Sequence, residues 1–181
     1  MKRNLMLVLF GAAIMAASFH YATKAWATSA SGFVGVTLAK GTLAQFEVFN
    51  HVVLPKLHED DRNMWLSWQK TKGDSDLYVQ SNTWDAPQSG QPIPNTGWHS
   101  HPGHSLIIVT AGTITDYEAD DPACTPHVYT AGMAFVDEGG KHAHIIRNEG
   151  NVVAQNIAVQ IVPAGQARRI DLATAPGNCP F

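Results

Sequence analysis

Short apolar or alternating segments recur along most of the chain, with turn-forming residues between them. Valine, isoleucine and threonine are abundant in these segments and helical periodicity is weak, so the pattern predicts an all-β domain. The predicted strands are 34–39, 43–49, 64–69, 77–84, 105–110, 113–118, 127–129, 133–137, 142–147 and 152–162. One helix fits the pattern, at 46–57, although Pro55 limits it. The segment 85–97 is rich in proline and glycine and predicts a connecting loop.

The first residues have the pattern of an export signal. Two basic residues precede an apolar stretch, 5–17, and small residues follow it. We predict a signal peptide over 1–27, cleaved after Ala27, and a single domain over 28–181 that is periplasmic or secreted. A histidine and a lysine interrupt the apolar stretch too early for a bilayer span, so no stable membrane insertion is expected after cleavage.

Composition narrows the class of partner. The chain has 181 residues, 45% of them hydrophobic and 15% charged, which is typical of one globular domain. Lysine and arginine number 12 against 15 acidic residues, and there is no basic stripe of the kind that neutralises phosphates. We therefore expect a small-molecule ligand or substrate and no nucleic acid.

The predicted export affects the interpretation of the two cysteines, Cys124 and Cys179. In an oxidising compartment a pair of cysteines forms a disulfide more often than a metal site. We predict that bond, which would tie the tail 175–181 to the domain. Two unpaired thiols are the alternative.

The segment Gly97-Trp98-His99-Ser100-His101-Pro102-Gly103 carries the first candidate chemistry. Residues two apart on a strand face the same side, so His99 and His101 can reach one ion. Imidazole binds Fe, Mn, Zn, Ni or Cu, and the pair predicts one divalent transition metal of this group. The Pro-Gly step that follows ends the strand.

A second segment offers a third ligand. The turn residues Gly139 and Gly140 precede an alternating run in which His142, His144 and Asn148 share one face. We take His144 as the third metal ligand.

Together these motifs resemble those of the cupin superfamily, G(x)5HxH(x)3-4E(x)6G followed by G(x)5PxG(x)2H(x)3N. His99 and His101 match the histidine pair, Gly112 matches the closing glycine, and His144 with Asn148 matches the final H(x)3N. The segments DDPACTPHVY and PGNCPF add a resemblance to small secreted single-domain cupins. The resemblance implies a cupin-type double-stranded β-helix, a jelly-roll barrel with an N-terminal strand extension. It also implies a metal site and a homodimer, but no substrate.

The chain lacks the leading glycine of the first motif, and three further departures from this pattern matter more. Ser105 stands where the family glutamate ligand lies, Glu138 stands where proline is common, and one extra residue separates Gly140 from His144. A site without the glutamate resembles the three-histidine sites of thiol dioxygenases and acetylacetone dioxygenase, which implies oxidative chemistry. A site that only binds metal, or one whose fourth position is filled by water or a shifted His104, is equally compatible.

Five residues are candidates for the surroundings of the metal or for the substrate pocket: His104, Ser105, His142, Tyr117 and Asn148. His142 is either an acid or base near neutral pH or a satisfied polar neighbour. Tyr117 and Glu118 are adjacent on a strand, so only one faces the interior, and the pattern does not choose between them. Three hypotheses follow: a small-molecule oxygenase or isomerase, a non-catalytic periplasmic metal- or ligand-binding module, and a structural barrel without metal.

Overall fold

A computed structural model describes residues 28–53 and 64–181. The predicted signal peptide, 1–27, and its cleavage site lie outside the described residues. Within the described ranges the chain forms strands and no helix, and therefore no helix long and apolar enough to cross a membrane. The strands are β1 Phe33–Leu43, β2 Glu47–Val53, β3 Met64–Lys70, β4 Ser75–Trp84, β5 His99–Ser100, β6 Ser105–Ala111, β7 Thr113–Glu118, β8 His127–Thr130, β9 Ala134–Asp137, β10 His144–Arg147, β11 Ala154–Pro163 and β12 Ile170–Asp171.

Two five-stranded sheets are built from these strands, and the hairpin of β2 and β3 stands beside them. The strand order of the first sheet is β1-β4-β11-β6-β9. The order of the second, named here the histidine sheet, is β12-β5-β10-β7-β8. Every pairing between neighbouring strands is antiparallel. Strands β4 to β11 alone give the orders β4-β11-β6-β9 and β5-β10-β7-β8, the arrangement of an eight-stranded jelly roll. The strand β1 extends the first sheet at its N-terminal edge, as predicted.

Alternating burial along the long strands explains why they form this core. In β6, Ser105, Ile107 and Val109 are buried whereas the residues between them are exposed. Strand β11 alternates in the same way. The inward positions pack around Trp84, which is completely buried, together with Ile114 from β7. A period of two in burial is what a sheet with one covered face requires.

The predicted helix at 46–57 is wrong wherever the structure describes that segment. Glu47–Val53 is a strand, β2, which pairs with β3 from Glu47↔Lys70 to Val53↔Met64. The predicted strand 43–49 is also misplaced, because it crosses the turn between β1 and β2. Both errors have one cause: the apolar residues of β2 are exposed on the hairpin, so their spacing does not report a buried face.

The C-terminal tail covers the outer face of the histidine sheet. Cys124 and Cys179 form the predicted disulfide, with Cα atoms 5.2 Å apart. Cys179 is buried in a cluster with Trp98, Tyr117 and Ile145. Tyr117 and Ile145 alternate along β7 and β10 with residues that face the barrel interior, so the sheet is covered on both sides. Strand β10 is accordingly buried at all four positions.

Candidate metal centre

Three histidines of the histidine sheet converge inside the barrel. His99 lies on β5 and pairs in register with His144 on the neighbouring β10, while His101 follows two residues after His99. The three side chains are 4%, 5% and 2% exposed for His99, His101 and His144. One ligand nitrogen from each ring lies within 4.8 Å of the others. The cross-strand register therefore assembles the three predicted ligand residues at one point.

The other nitrogen of each ring faces an oxygen acceptor. The Nδ1 contacts are His99 to the Gly97 carbonyl at 2.9 Å, His101 to the Arg168 carbonyl at 2.5 Å, and His144 to Asp116 Oδ1 at 3.1 Å. Because none of these oxygens carries a hydrogen, each Nδ1 must donate. A ring that donates from Nδ1 is fixed in orientation and can present Nε2 to a metal.

The turn before β5 helps to place His99. Gly97 adopts φ +68°, a backbone conformation that residues with a side chain rarely adopt. A Cβ at this position would lie 1.8 Å from the Thr28 carbonyl oxygen. Thr28 and Trp98 are joined by hydrogen bonds in which the Thr28 hydroxyl accepts from the Trp98 N–H and donates to its carbonyl. The N-terminal segment therefore closes over the glycine whose carbonyl holds the His99 ring.

Burial and nearby charges set the protonation of the three rings. Burial, reinforced by the charges of His144 and Arg169, holds the pKa of His99 well below its usual range. Burial also lowers the pKa of His101, against the opposing effect of Asp137. For His144 the effect of burial is outweighed by the carboxylates of Asp116 and Asp137, which raise its pKa to about 9. Negative charge is thus concentrated around His144.

The residues present fit a metal cation. His144 Nε2 is buried and, among the described residues, has no hydrogen-bond partner. A buried ring nitrogen left without a partner costs about 1–3 kcal/mol. Three imidazole nitrogens with carboxylates close by form a donor set that divalent transition metals accept. An ion held by the three Nε2 atoms would remove the unsatisfied nitrogen.

A buried polar network surrounds the histidines, and sequence reasoning missed most of it. Ser105, which is completely buried, donates from its hydroxyl to Asp137 Oδ2 at 2.9 Å and accepts from Gln160 Nε2 at 3.0 Å. Asp116 and Asp137 are each 3% exposed. Neither lies in the His-x-His segment, and Asp137 is placed by the pairing of β6 with β9. Strand alternation could have indicated them, because both occupy inward-facing positions of predicted strands.

A small cavity opens beside the three histidines. Its volume is ≈ 40 Å³, which leaves room for about three water-sized groups. Besides the histidines, the residues that line it include Trp84, Ser105, Asn156, Gln160, Arg168 and Arg169. Any molecule that reaches the ligand nitrogens must therefore be small, or must enter as the walls move.

Four of the predicted surrounding residues lie elsewhere. His104 lines a separate surface pocket with Pro102 and Ile161. His142 is exposed, with Nδ1 2.9 Å from Asp120 Oδ2. The remaining two do not line the cavity: Tyr117 donates its hydroxyl hydrogen to Glu149 Oε2, and Asn148 donates to the carbonyl oxygens of Asp85 and Val152. Of the five candidates, only Ser105 lines the histidine cavity.

Comparison with known proteins gave structural likenesses alone. No family model matches the chain, and no curated protein matches it. Solved structures that resemble it include a cupin-like protein from Thermotoga maritima (TM-score 0.43, 19% identity, covering 54% of this chain and 65% of that one). A protein with a double-stranded β-helix domain from Klebsiella pneumoniae gives a TM-score of 0.38 at 18% identity, covering 54% and 73%. An oxalate oxidase gives a TM-score of 0.38 at 19% identity, covering 49% and 46%.

The chain spans less than half the length of that oxalate oxidase, and its likeness to these proteins is one of fold. The fold itself follows from the strand order, in which eight antiparallel strands divide into the two sheets of a jelly roll with the histidines between them. The chain has a double-stranded β-helix fold, an eight-stranded jelly roll.

Proposed function

We propose that this protein is an exported cupin that binds one divalent transition metal through Nε2 of His99, His101 and His144 and presents it to a small molecule. The observation that carries the proposal is the convergence of three buried imidazoles whose Nδ1 atoms are all held by oxygen acceptors. Action outside the cytoplasm is supported by the disulfide, which persists in oxidising compartments.

The reaction class we propose is that of a small-molecule oxygenase or isomerase. A bound transition metal supplies a Lewis acid or a redox centre in such reactions. Three protein ligands leave coordination positions free, and the cavity beside the rings is where a ligand would reach them. The chain's own contribution is to orient the rings through their Nδ1 partners and to exclude bulk water by burial.

Arg168 supports a small anion as the ligand. It lines the cavity and is half-buried, and among the described residues no carboxylate lies within ion-pair distance of it. Its contact within the cavity is to Gln160 Oε1 at 3.4 Å. Burial, with the charge of Arg169, lowers the pKa of Arg168, so an anion would stabilise its charged form. Small carboxylates therefore belong in any substrate panel.

A non-catalytic metal- or ligand-binding module is the second candidate. The observation that favours it is the size of the cavity, ≈ 40 Å³, because drug-sized ligands occupy cavities of about 300–1,000 Å³. Such a module would hold the metal and turn over no substrate.

Metal analysis of the mature chain tests the shared part of both candidates. We expect close to one equivalent per chain after purification without added metal or after incubation with zinc or ferrous iron. His101→Ala should bind at least about tenfold more weakly. His104→Ala is the matched control, because His104 lies outside the cavity, and it should bind normally. A wild-type chain that stays metal-free after both incubations would contradict the proposal.

Oxygen uptake separates the two candidates. The iron-loaded chain would be offered diketones, thiols, phenols and small carboxylates, with His101→Ala measured in parallel. Uptake that depends on substrate and is lost in His101→Ala supports the oxygenase. An isomerase would instead change the substrate without consuming oxygen, which chromatography of the same mixtures detects.

A further inference from the structure

A carboxylate lies beside two of the three ligand nitrogens. Asp137 ends β9 and pairs in register with Ser105 on β6, so its side chain enters the barrel from the opposite sheet. Asp137 Oδ2 is 3.5 Å from His101 Nε2 and 3.9 Å from His144 Nε2. The same oxygen therefore approaches the side of each ring that does not donate to an acceptor.

These distances suit atoms that share one ion. Ligand atoms bound about 2.1 Å from a metal lie roughly 3 to 4.2 Å apart, depending on the angle between them. Both measured distances fall inside this range. They are too long for strong direct hydrogen bonds between the carboxylate and the rings.

The remaining contacts of Asp137 hold it in this orientation. Its Oδ1 accepts from the Gly139 N–H at 2.9 Å, and its Oδ2 accepts from the Ser105 hydroxyl at 2.9 Å. The side chain is 3% exposed, so water gives its charge little stabilisation. A buried carboxylate with one oxygen turned toward two ring nitrogens has the surroundings of a ligand that faces a cation.

We infer that Asp137 is a fourth protein ligand of the proposed metal, an inference that rests on the proposed function. Ser105 occupies the strand position where the sequence pattern expects a glutamate ligand, and its hydroxyl instead holds a carboxylate contributed by the neighbouring strand β9. The charge of the site is then that of three neutral histidines and one carboxylate. The neutral three-histidine site expected from the motif alone is replaced by a monoanionic one.

Asp116 is distinct from Asp137 in this respect. Its carboxylate contacts His144 Nδ1, on the opposite side of the ring from Nε2. It orients a ligand and does not itself face the ion. Neutralising Asp116 and neutralising Asp137 should therefore affect metal binding differently.

The test compares Asp137→Asn with Glu138→Gln. Glu138 is the next residue and its carboxylate is exposed, 3.5 Å from His142 Nε2, so the control removes the same charge outside the barrel. Affinity for Co²⁺ and Zn²⁺ would be measured by competition with a chelator, and the visible absorption of the Co²⁺ form recorded. We expect Asp137→Asn to weaken affinity by at least about 100-fold and to change the Co²⁺ spectrum, since deleting a ligand costs at least as much as deleting its supporting partner. Glu138→Gln should stay within about threefold of wild type.

A structure of the wild-type chain loaded with Zn²⁺ gives a second readout that does not depend on the variant folding. The expected distance from the metal to Asp137 Oδ2 is about 2.0–2.2 Å. A metal bound by the histidines but more than about 3 Å from that oxygen, or an Asp137→Asn affinity equal to wild type, would overturn the inference and leave the proposed function standing. A wild-type chain that binds no metal would overturn both.

Discussion

The disulfide between Cys124 and Cys179 should stabilise the fold without affecting the metal site. Cys179 packs with Trp98 and Ile145 on the outer face of the histidine sheet. Their chain neighbours His99 and His144 face inward, because successive residues of a strand point to opposite sides. Breaking the bond should therefore release the tail while the ligand nitrogens stay in place.

The expected loss follows from the loop that the bond closes. The two cysteines lie 55 positions apart in the sequence, and closing such a loop stabilises the folded state by about 4 kcal/mol in the chain-entropy model. With a urea slope of about 2 kcal/mol/M, the unfolding midpoint should fall by about 2 M. Cys124 also has φ +50°, in the left-handed region, which costs a residue with a Cβ about 1 kcal/mol.

The measurement is urea unfolding, followed by tryptophan fluorescence, of the wild type and of Cys124→Ala/Cys179→Ala. Cys124→Gly/Cys179→Ala is the control: glycine adopts the left-handed conformation freely, so this variant should lose about 1 kcal/mol less. Chelator competition should give both variants a metal affinity within about threefold of wild type. Coincident unfolding midpoints for the wild type and the alanine variant would refute the argument about the loop, and a large loss of metal affinity would refute the separation of the two faces.

Three further predictions concern the histidine sheet and the core. Burial, followed by the hydrogen bond to Glu149, raises the pKa of Tyr117 to about 12, above its unfolded value near 10. The stability that this shift contributes is therefore complete below pH 10 and is lost as the pH rises toward 12. When the wild type and Tyr117→Phe are unfolded at several alkaline pH values, the variant should lose less stability over this range. Gly97→Ala should destabilise the fold by more than about 2 kcal/mol and weaken Zn²⁺ binding, because its Cβ meets the Thr28 carbonyl; unchanged chelator competition would contradict this. Trp84→Ala should cost about 3–5 kcal/mol in urea unfolding, since Trp84 is fully buried.

Much of the fold could be predicted because its long strands each bury one face. The alternation in β6 and β11 is visible in the sequence and is the alternation found in burial. The two-residue strand β12 was not predicted, since a period of two needs more than two residues to be recognised, and β5 was inferred only from the His-x-His pair. The hairpin of β2 and β3 failed for another reason, because its apolar side chains are exposed and their spacing follows no buried face.

The residues of the candidate site also differ in how well the sequence predicted them. His99 and His101 are close in sequence, and their shared face follows from strand geometry alone. His142 has the parity of His144 but lies before β10 begins, in a turn, where alternation no longer fixes direction. His104 likewise lies between β5 and β6. Alternation therefore placed His99 and His101 together although β5 ends at Ser100, and it failed for His142 and His104, which lie outside strands.

Asp137 shows what a local motif leaves out. A motif places each ligand by its spacing along one strand, and in that frame Ser105 reads as a missing carboxylate. The structure pairs Ser105 with Asp137 on the adjacent strand and joins them by a hydrogen bond. Which strands are neighbours depends on contacts distant in sequence, so spacing alone cannot show that a neighbouring strand brings a carboxylate to this position. Other chains with a small polar residue in place of the glutamate can be searched for the same arrangement. It consists of an inward-facing carboxylate at the end of the neighbouring strand, in register with that residue.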